Sequence, residues 1–251
     1  MKTGADSLET WIPHGGFRLD HRKGKTPEGE TLTTDWLVPT WASDGLTSAY
    51  PCAEQPCLHR LLAECPRDQV VKLAGLYGLL TASGKTLPPE PVETWHREIR
   101  ALRISTTLWD AVAVEDGAAL HRALPQHPAA KGKDLLGLAR EHLARRVTEK
   151  MAGGRLELIA PNGDASQFSI RHRPVRLIDA IWQRFAEEIA GLITCAKCPA
   201  PKCGRWFPRS TVRSDREYCS HACQVRAWRA GRLRFDPEQS LLRRRFDLDL
   251  A

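Results

Sequence analysis

The chain has 251 residues, 42% hydrophobic and 27% charged, with a formal net charge of +7. That is an ordinary globular composition, enough for one large domain or for a medium domain with a small one beside it. No apolar run approaches the roughly 18–20 residues of a membrane span, and "MKTGADSLETW" lacks the apolar core of a signal peptide, so a cytoplasmic chain with reduced thiols is expected.

Residues 1–56 are rich in Gly, Pro and Thr and read as irregular or β-rich, with "TLTTDWLV" a candidate strand. Helical patterns follow. "CLHRLLAEC" is short and stops at Pro66. "RDQVVKLAGLYGLL" places Val70, Val71, Leu73, Ala74, Leu76, Tyr77, Leu79 and Leu80 on a wide apolar face suited to a core helix. "PVETWHREIRALRISTTLWDAVAV" continues in that style, with Trp95, Ile99, Leu102, Leu108 and Trp109 on related faces. "KDLLGLAREHLARRVTEKM" is a further amphipathic helix, ended by Gly153 and Gly154.

The pattern then changes. Two alternating runs, "RLELIA" and "ASQFSIRH", flank the turn-rich "PNGD" and predict a β-hairpin over 155–172. "PVRLIDAIWQRFAEEIAGLI" predicts a helix that starts at Pro174, fills the segment and leads directly into Cys195. The expected fold class is α+β. A mostly helical N-terminal domain with a β-hairpin covers 1–194, a small treble-clef zinc finger covers 195–235, and a terminal helix or tail covers 236–251.

The finger rests on Cys198, Cys203, Cys219 and Cys223, spaced Cys-x4-Cys, fifteen residues, Cys-x3-Cys. In a reducing compartment two close pairs favour a metal over disulfides, and tetrahedral zinc takes four such ligands. "GRWF" and "REY" read as short arms around the turn-forming "RSTVRSD". Gly204 suits a tight knuckle turn after Cys203, and Ser220 suits the cap of a helix "HACQVRAWRAG" that Gly231 ends. One structural zinc is the expected cofactor, since four protein ligands leave no open position for water. Cys195-x2-Cys198 is also a ligand spacing, but it would leave Cys203 spare, and His221 is a further substitute. Phe207 is expected in the finger's core, and Trp206 and Trp228 are placed there ahead of a base-stacking role.

Charge is concentrated on the same segment. Residues 195–235 carry ten Lys/Arg against two acids, whereas residues 1–194 are neutral in sum and residues 236–251 are slightly acidic. A basic balance confined to one module points to a polyanion partner. Arg226 and Arg229 lie three apart on the predicted helix, with Arg232 just beyond. Arg205, Arg209, Arg213 and Arg216 would project from the arms. These seven are the candidate nucleic-acid contacts, with duplex DNA favoured over RNA; docking of a protein partner is the remaining reading. The N-terminal domain would then sense a signal, form a homodimer or meet a protein partner.

The run "C-x4-CG-x2-F…R-x2-YCS-x2-C-x2-R" resembles the bacterial CGNR zinc finger. The matching positions are Cys198, Cys203, Gly204, Phe207, Tyr218, Cys219, Ser220, Cys223 and Arg226, and the tetrad that names the family reads "CQVR" here. The resemblance implies a regulator of transcription whose finger follows an ABATE domain ending in a hairpin and a long helix. It is specific over the finger and loose before it.

Other signals point to no chemistry. "SGKT" at 83–86 lacks the glycine that a phosphate loop needs six residues before its lysine, where Leu79 stands. Cys52, Cys57, His59 and Cys65 are spaced loosely enough to read as ordinary side chains ahead of a second metal site. No nucleophile motif or paired-His spacing is present, so no enzyme is expected.

Overall fold

In the computed structural model, residues 8–25, 30–40, 46–124, 134–159, 169–209 and 217–231 are described. The chain divides into two compact units, Met1–Thr194 and Cys195–Ala251.

The first unit opens with strands. β1 (Thr10–Pro13) pairs antiparallel with β4 (Leu46–Ala49). Between them, β2 (Phe17–Lys25) and β3 (Thr31–Pro39) form a long antiparallel pair in the register Phe17↔Pro39 to Lys25↔Thr31. β5 (Glu90–Pro91) joins the other side of β3, so β2 is left at the edge of this sheet among the described residues. Phe17 and Leu37 enter the core, whereas residues from Arg18 outward along β2 are largely exposed. There cross-strand pairs take over. His21 Nδ1 lies 2.6 Å from Asp35, and Arg22 stacks 4.8 Å above the Trp36 ring.

Helices follow: α1 (Pro51–Glu54), α2 (Leu58–Ala63), a 3-10 turn at Arg67–Gln69, then α3 (Val70–Tyr77). α3 stops at Gly78, whose φ of +85° favours glycine and where a Cβ would meet Thr10 Cβ at 3.1 Å. α4 (Val92–Ala113) is the long helix expected from its periodicity, and α6 (Leu135–Met151) the amphipathic one. The short α5 (Gly117–Ala123) lies between them, capped by Asp116, which accepts from the Ala119 amide; its pattern is too brief to register as periodicity. β6 (Arg155–Ile159) and β7 (Ser169–Arg173) pair antiparallel as the hairpin reading expects. The "PNGD" turn lies outside the described residues, as does the tail at 236–251.

α7 (Leu177–Ile189) is shorter than the sequence suggests and does not run into Cys195. At its start Asp179 accepts from the Arg176 amide at 3.1 Å and from the Arg176 guanidinium at 2.6 Å, which fixes the first turn after Pro174. At its end Gly191 adopts a φ of +72°. The Leu192 amide then donates to the Glu187 carbonyl at 2.8 Å and the Gly191 amide to the Glu188 carbonyl at 3.0 Å, the two bonds that close a helix through a left-handed residue. The chain is thereby released into a strand, β8 (Thr194–Lys197), which carries Cys195 and ends just before Cys198.

The first unit's core forms around α7. Leu177, Ala180, Ile181, Trp182 and Phe185 are at most 1% exposed, and the Trp182 and Phe185 rings meet edge-to-face with centroids 5.9 Å apart. The same helix also buries charge. Glu188 binds Arg60 through bonds of 2.9 and 2.8 Å and contacts His59 Nε2 at 2.5 Å, while Arg184 pairs with Glu187 at 2.8 Å. Across the core, Glu98 takes Lys150 at 2.7 Å and accepts from the Trp182 indole at 3.3 Å. No helix among the described residues is long and apolar enough to cross a membrane.

Candidate metal centre and basic face

The second unit delivers its cysteines from two backbone devices. The first is a loop between β8 and β9 (Trp206–Arg209), which pair with each other. The Cys198 amide donates to the Arg205 carbonyl at 2.9 Å, so the ladder reaches the first cysteine. The Cys203 amide then donates to the Ala200 carbonyl at 3.1 Å. Lys202 and Gly204, on either side of Cys203, have φ values of 60° and 59°. A Cβ at Gly204 would touch only Lys197 Cε, at 3.7 Å, so the left-handed backbone is what favours glycine there.

This differs from the sequence reading in one respect. "GRWF" does contribute a strand, but Glu217 and Tyr218 of "REY" lie outside any strand, and β9 finds its partner upstream. The reason is the early stop of α7, which frees Thr194–Lys197 to pair.

The second device is the start of α8 (His221–Gly231), the helix expected from the Ser220 cap and Gly231 stop. The Cys223 amide donates to Ser220 Oγ at 3.3 Å, and the Gln224 amide to the Ser220 carbonyl at 3.1 Å. Cys219 precedes the cap and Cys223 sits in the first turn.

These two devices bring the sulfurs of Cys198, Cys203, Cys219 and Cys223 within 4.8 Å of one another. Cys203 and Cys219 are 3.6 Å apart, and Cys219 and Cys223 3.5 Å. A tetrahedral ion with metal–sulfur bonds of about 2.3 Å separates its ligands by about 3.8 Å. The cluster therefore fits a soft metal with little rearrangement. Neither Cys195 nor His221 belongs to it.

The surroundings favour negative sulfur at two positions. Burial pushes the Cys198 thiol up, but hydrogen bonds from the Cys219 and Ala200 backbone and from neighbouring thiols bring it below its ordinary value. A hydrogen bond from Ser220, followed by those from Cys219 and Cys203, brings Cys223 down to about 7. Burial, then the crowding thiols, drives Cys219 up to about 12. Four thiols this close cannot all ionise unaided, and a bound cation removes that obstacle.

Around the sulfurs, Cys198, Ala200, Phe207 and Cys223 form a small apolar cluster, with Ala196, Tyr218 and Ala227 packed against it. Phe207 is in that core, as the sequence suggests, but Trp228 is not: it is 56% exposed. Buried Cys223 and half-buried Ala227 and Ala230 define the inner side of α8, and Trp228 falls off that line.

The candidate nucleic-acid contacts divide by what the structure describes. Arg205 and Arg209 are exposed in and beside β9, and Arg226 and Arg229 are exposed on α8. Among the described residues none of the four makes an ion pair with a carboxylate. Arg213, Arg216 and Arg232 lie outside the described residues.

The loosely spaced second set does not assemble. No three of Cys52, Cys57, His59 and Cys65 lie within ligand distance of one another. His59 is instead taken up by Glu188, and burial lowers its proton affinity more than that carboxylate raises it. The sequence held no sign of this pairing across 129 positions.

A scan of the chain against models of known protein families matches none of them. A comparison with curated proteins finds no match.

Proposed function

We propose that the second unit is a treble-clef finger built on one structural zinc ion held by Cys198, Cys203, Cys219 and Cys223. In this reading the finger binds nucleic acid, duplex DNA ahead of RNA, and the chain is a regulator of transcription of the CGNR kind. Zinc with four sulfur ligands supplies no reactive water; it fixes the fold of a segment with little core of its own. The observation that carries the proposal is the set Arg205, Arg209, Arg226 and Arg229. These side chains are exposed and have no carboxylate partner among the described residues, on the same unit that gathers the four cysteines. Guanidinium groups on a short helix and an adjacent strand suit phosphate walls and guanine edges. The N-terminal unit would supply the sensing or pairing surface of such a regulator.

The exposed Trp228 favours a second reading, in which the finger stacks on unpaired bases of structured RNA. A salt titration of the full chain on duplex DNA and on structured RNA decides between them. For duplex binding, affinity should fall with salt with a log–log slope near 0.9 per phosphate contact, and Arg229→Ala should lower that slope by about one. Trp228→Ala should leave duplex affinity unchanged and weaken RNA by roughly 1–3 kcal/mol if stacking dominates. Weak binding that all variants share on both ligands would remove the nucleic-acid reading.

A further inference from the structure

We propose that the cleft between α4 and α6 binds a compact phosphorylated anion. The cleft has a volume of about 250 Å³ and takes Arg97 and Arg100 from α4 and Arg146 from α6. Arg97 and Arg100 are three residues apart on one helix and so point to the same side. Buried Ala101 and half-exposed Ile104 give the cleft an apolar wall.

The charges there are not balanced. Lys150, also at the cleft, is held by Glu98 at 2.7 and 2.8 Å. Arg97 lies 3.7 Å from that same carboxylate, which Lys150 already occupies. Among the described residues Arg100 and Arg146 have no carboxylate partner, and Arg146 Nε is buried with no acceptor. A buried guanidinium N–H without an acceptor is rare, because it forfeits water and gains nothing in return. Three guanidinium groups on two packed helices also repel one another. An anion seated between them would pair the guanidinium heads that line the cleft and reverse the repulsion.

The chemistry of the donors selects the ligand. Guanidinium forks match the oxygen edges of a phosphoryl group. The volume falls just under the roughly 300–1,000 Å³ of common small-molecule sites, which limits the ligand to a phosphoryl group with a few further atoms. Glu149 at the cleft disfavours a second phosphate and offers an acceptor to a hydroxyl. A small hydroxylated phosphomonoester matches both the guanidinium donors and the Glu149 acceptor, and that carboxylate weighs against a pyrophosphate or nucleoside triphosphate.

The test is calorimetric titration of the full chain, at constant ionic strength in chloride, with glycerol 3-phosphate, inorganic phosphate and pyrophosphate. Glycerol 3-phosphate should bind with millimolar or better affinity, at least tenfold more tightly than pyrophosphate. Arg146→Ala and Arg100→Ala should each weaken it at least tenfold, with folding verified by circular dichroism. Arg146→Lys keeps the charge without the fork, and should bind at an intermediate level. Arg100 is exposed, so its variant remains informative if Arg146→Ala does not fold. The double variant Arg226→Ala/Arg229→Ala should bind as the wild type does, which separates this site from the finger and from the nucleic-acid reading. Absence of binding at about 10 mM would overturn the proposal. So would unchanged affinity in the Arg100 and Arg146 variants, a loss that follows the finger variant instead, or pyrophosphate binding as tightly.

Discussion

The apolar core of the first unit draws side chains from α2, α3, α4, α5, α6 and α7, with Trp95, Trp182 and Phe185 fully buried. The buried cluster of the second is Cys198, Ala200, Phe207 and Cys223, and half of it is cysteine. The first unit has enough apolar burial to tolerate charge inside it, and places Arg60, Arg184, Glu187 and Glu188 there in mutual pairs. Among its described residues the second has no such reserve. A segment with so little core needs a cross-link, and the four cysteines are placed to supply one by holding a metal ion.

The largest expected effect follows from that contrast. Structural zinc contributes apparent free energies of about 10–16 kcal/mol in small fingers, and that energy is folding energy. A strong chelator, or Cys203→Ser, should therefore open the second unit entirely and leave the first intact. Limited trypsin digestion reads this directly, with rapid cutting after Arg205, Arg209, Arg226 and Arg229 and a surviving N-terminal fragment. Persistent protection of those sites without metal would end the comparison.

A smaller effect probes the other side. Glu188→Ala removes the bidentate partner of Arg60, a side chain only 5% exposed, and leaves its buried charge with Asp110 alone, 2.8 Å away. Breaking a buried pair from one side costs about 3–5 kcal/mol, and the remaining Asp110 contact holds the loss to the lower end of that range. Chemical denaturation should show that loss in the first unit, while metal content stays at the wild-type value. A shift under about 1 kcal/mol would mean that solvent reaches Arg60 far more than its burial implies.

The smallest effect is a pH slope. Burial holds the His59 proton affinity below its ordinary value of 6.5 in the folded chain, so the unfolded chain takes up that proton first. Stability from His59 is then full above 6.5 and falls as the pH drops below it, by at most about 1.4 kcal/mol per pH unit for one proton. Glu188 acts in the same direction at lower pH, since its bonds to His59 and Arg60 overcome burial and hold it below 4.5. Asp110, raised by burial, opposes both. Denaturation of wild type and His59→Gln between pH 5 and 7 should show the slope in the first alone. Equal slopes would assign it elsewhere.

The legibility of the chain follows the same division. The long helices of the first unit announce themselves because periodicity is local, and α4 and α6 are where Trp95, Ile99, Leu102 and the amphipathic run before Gly153 and Gly154 place them. Ligand spacing is local too, so the four cysteines and the α8 cap were readable from 26 residues. The pairing of β8 with β9 was not, because it depends on Gly191 ending α7 early. The His59–Glu188–Arg60 group was hidden for a further reason: on paper these look like the solvated faces of helices. Trp228 could have been placed correctly by following Cys223 to Ala227 and Ala230 around the helix, in preference to the general habit of aromatic residues in small fingers.

The side of β2 left unpaired among the described residues has a consequence for how copies of this chain tolerate one another. An unpaired strand edge presents free backbone donors and acceptors, and a second such edge can complete the ladder. Here that edge carries Arg18, Asp20, His21, Arg22, Lys23 and Lys25 in close succession. Two copies aligned edge to edge would bring four cationic side chains, Arg18, Arg22, Lys23 and Lys25, and one carboxylate, Asp20, from each strand against the same set. The safeguard is electrostatic, and so it weakens where salt shortens the range of those charges. Storage in concentrated salt, which steadies many proteins by strengthening apolar burial, should for this one favour slow strand-by-strand association.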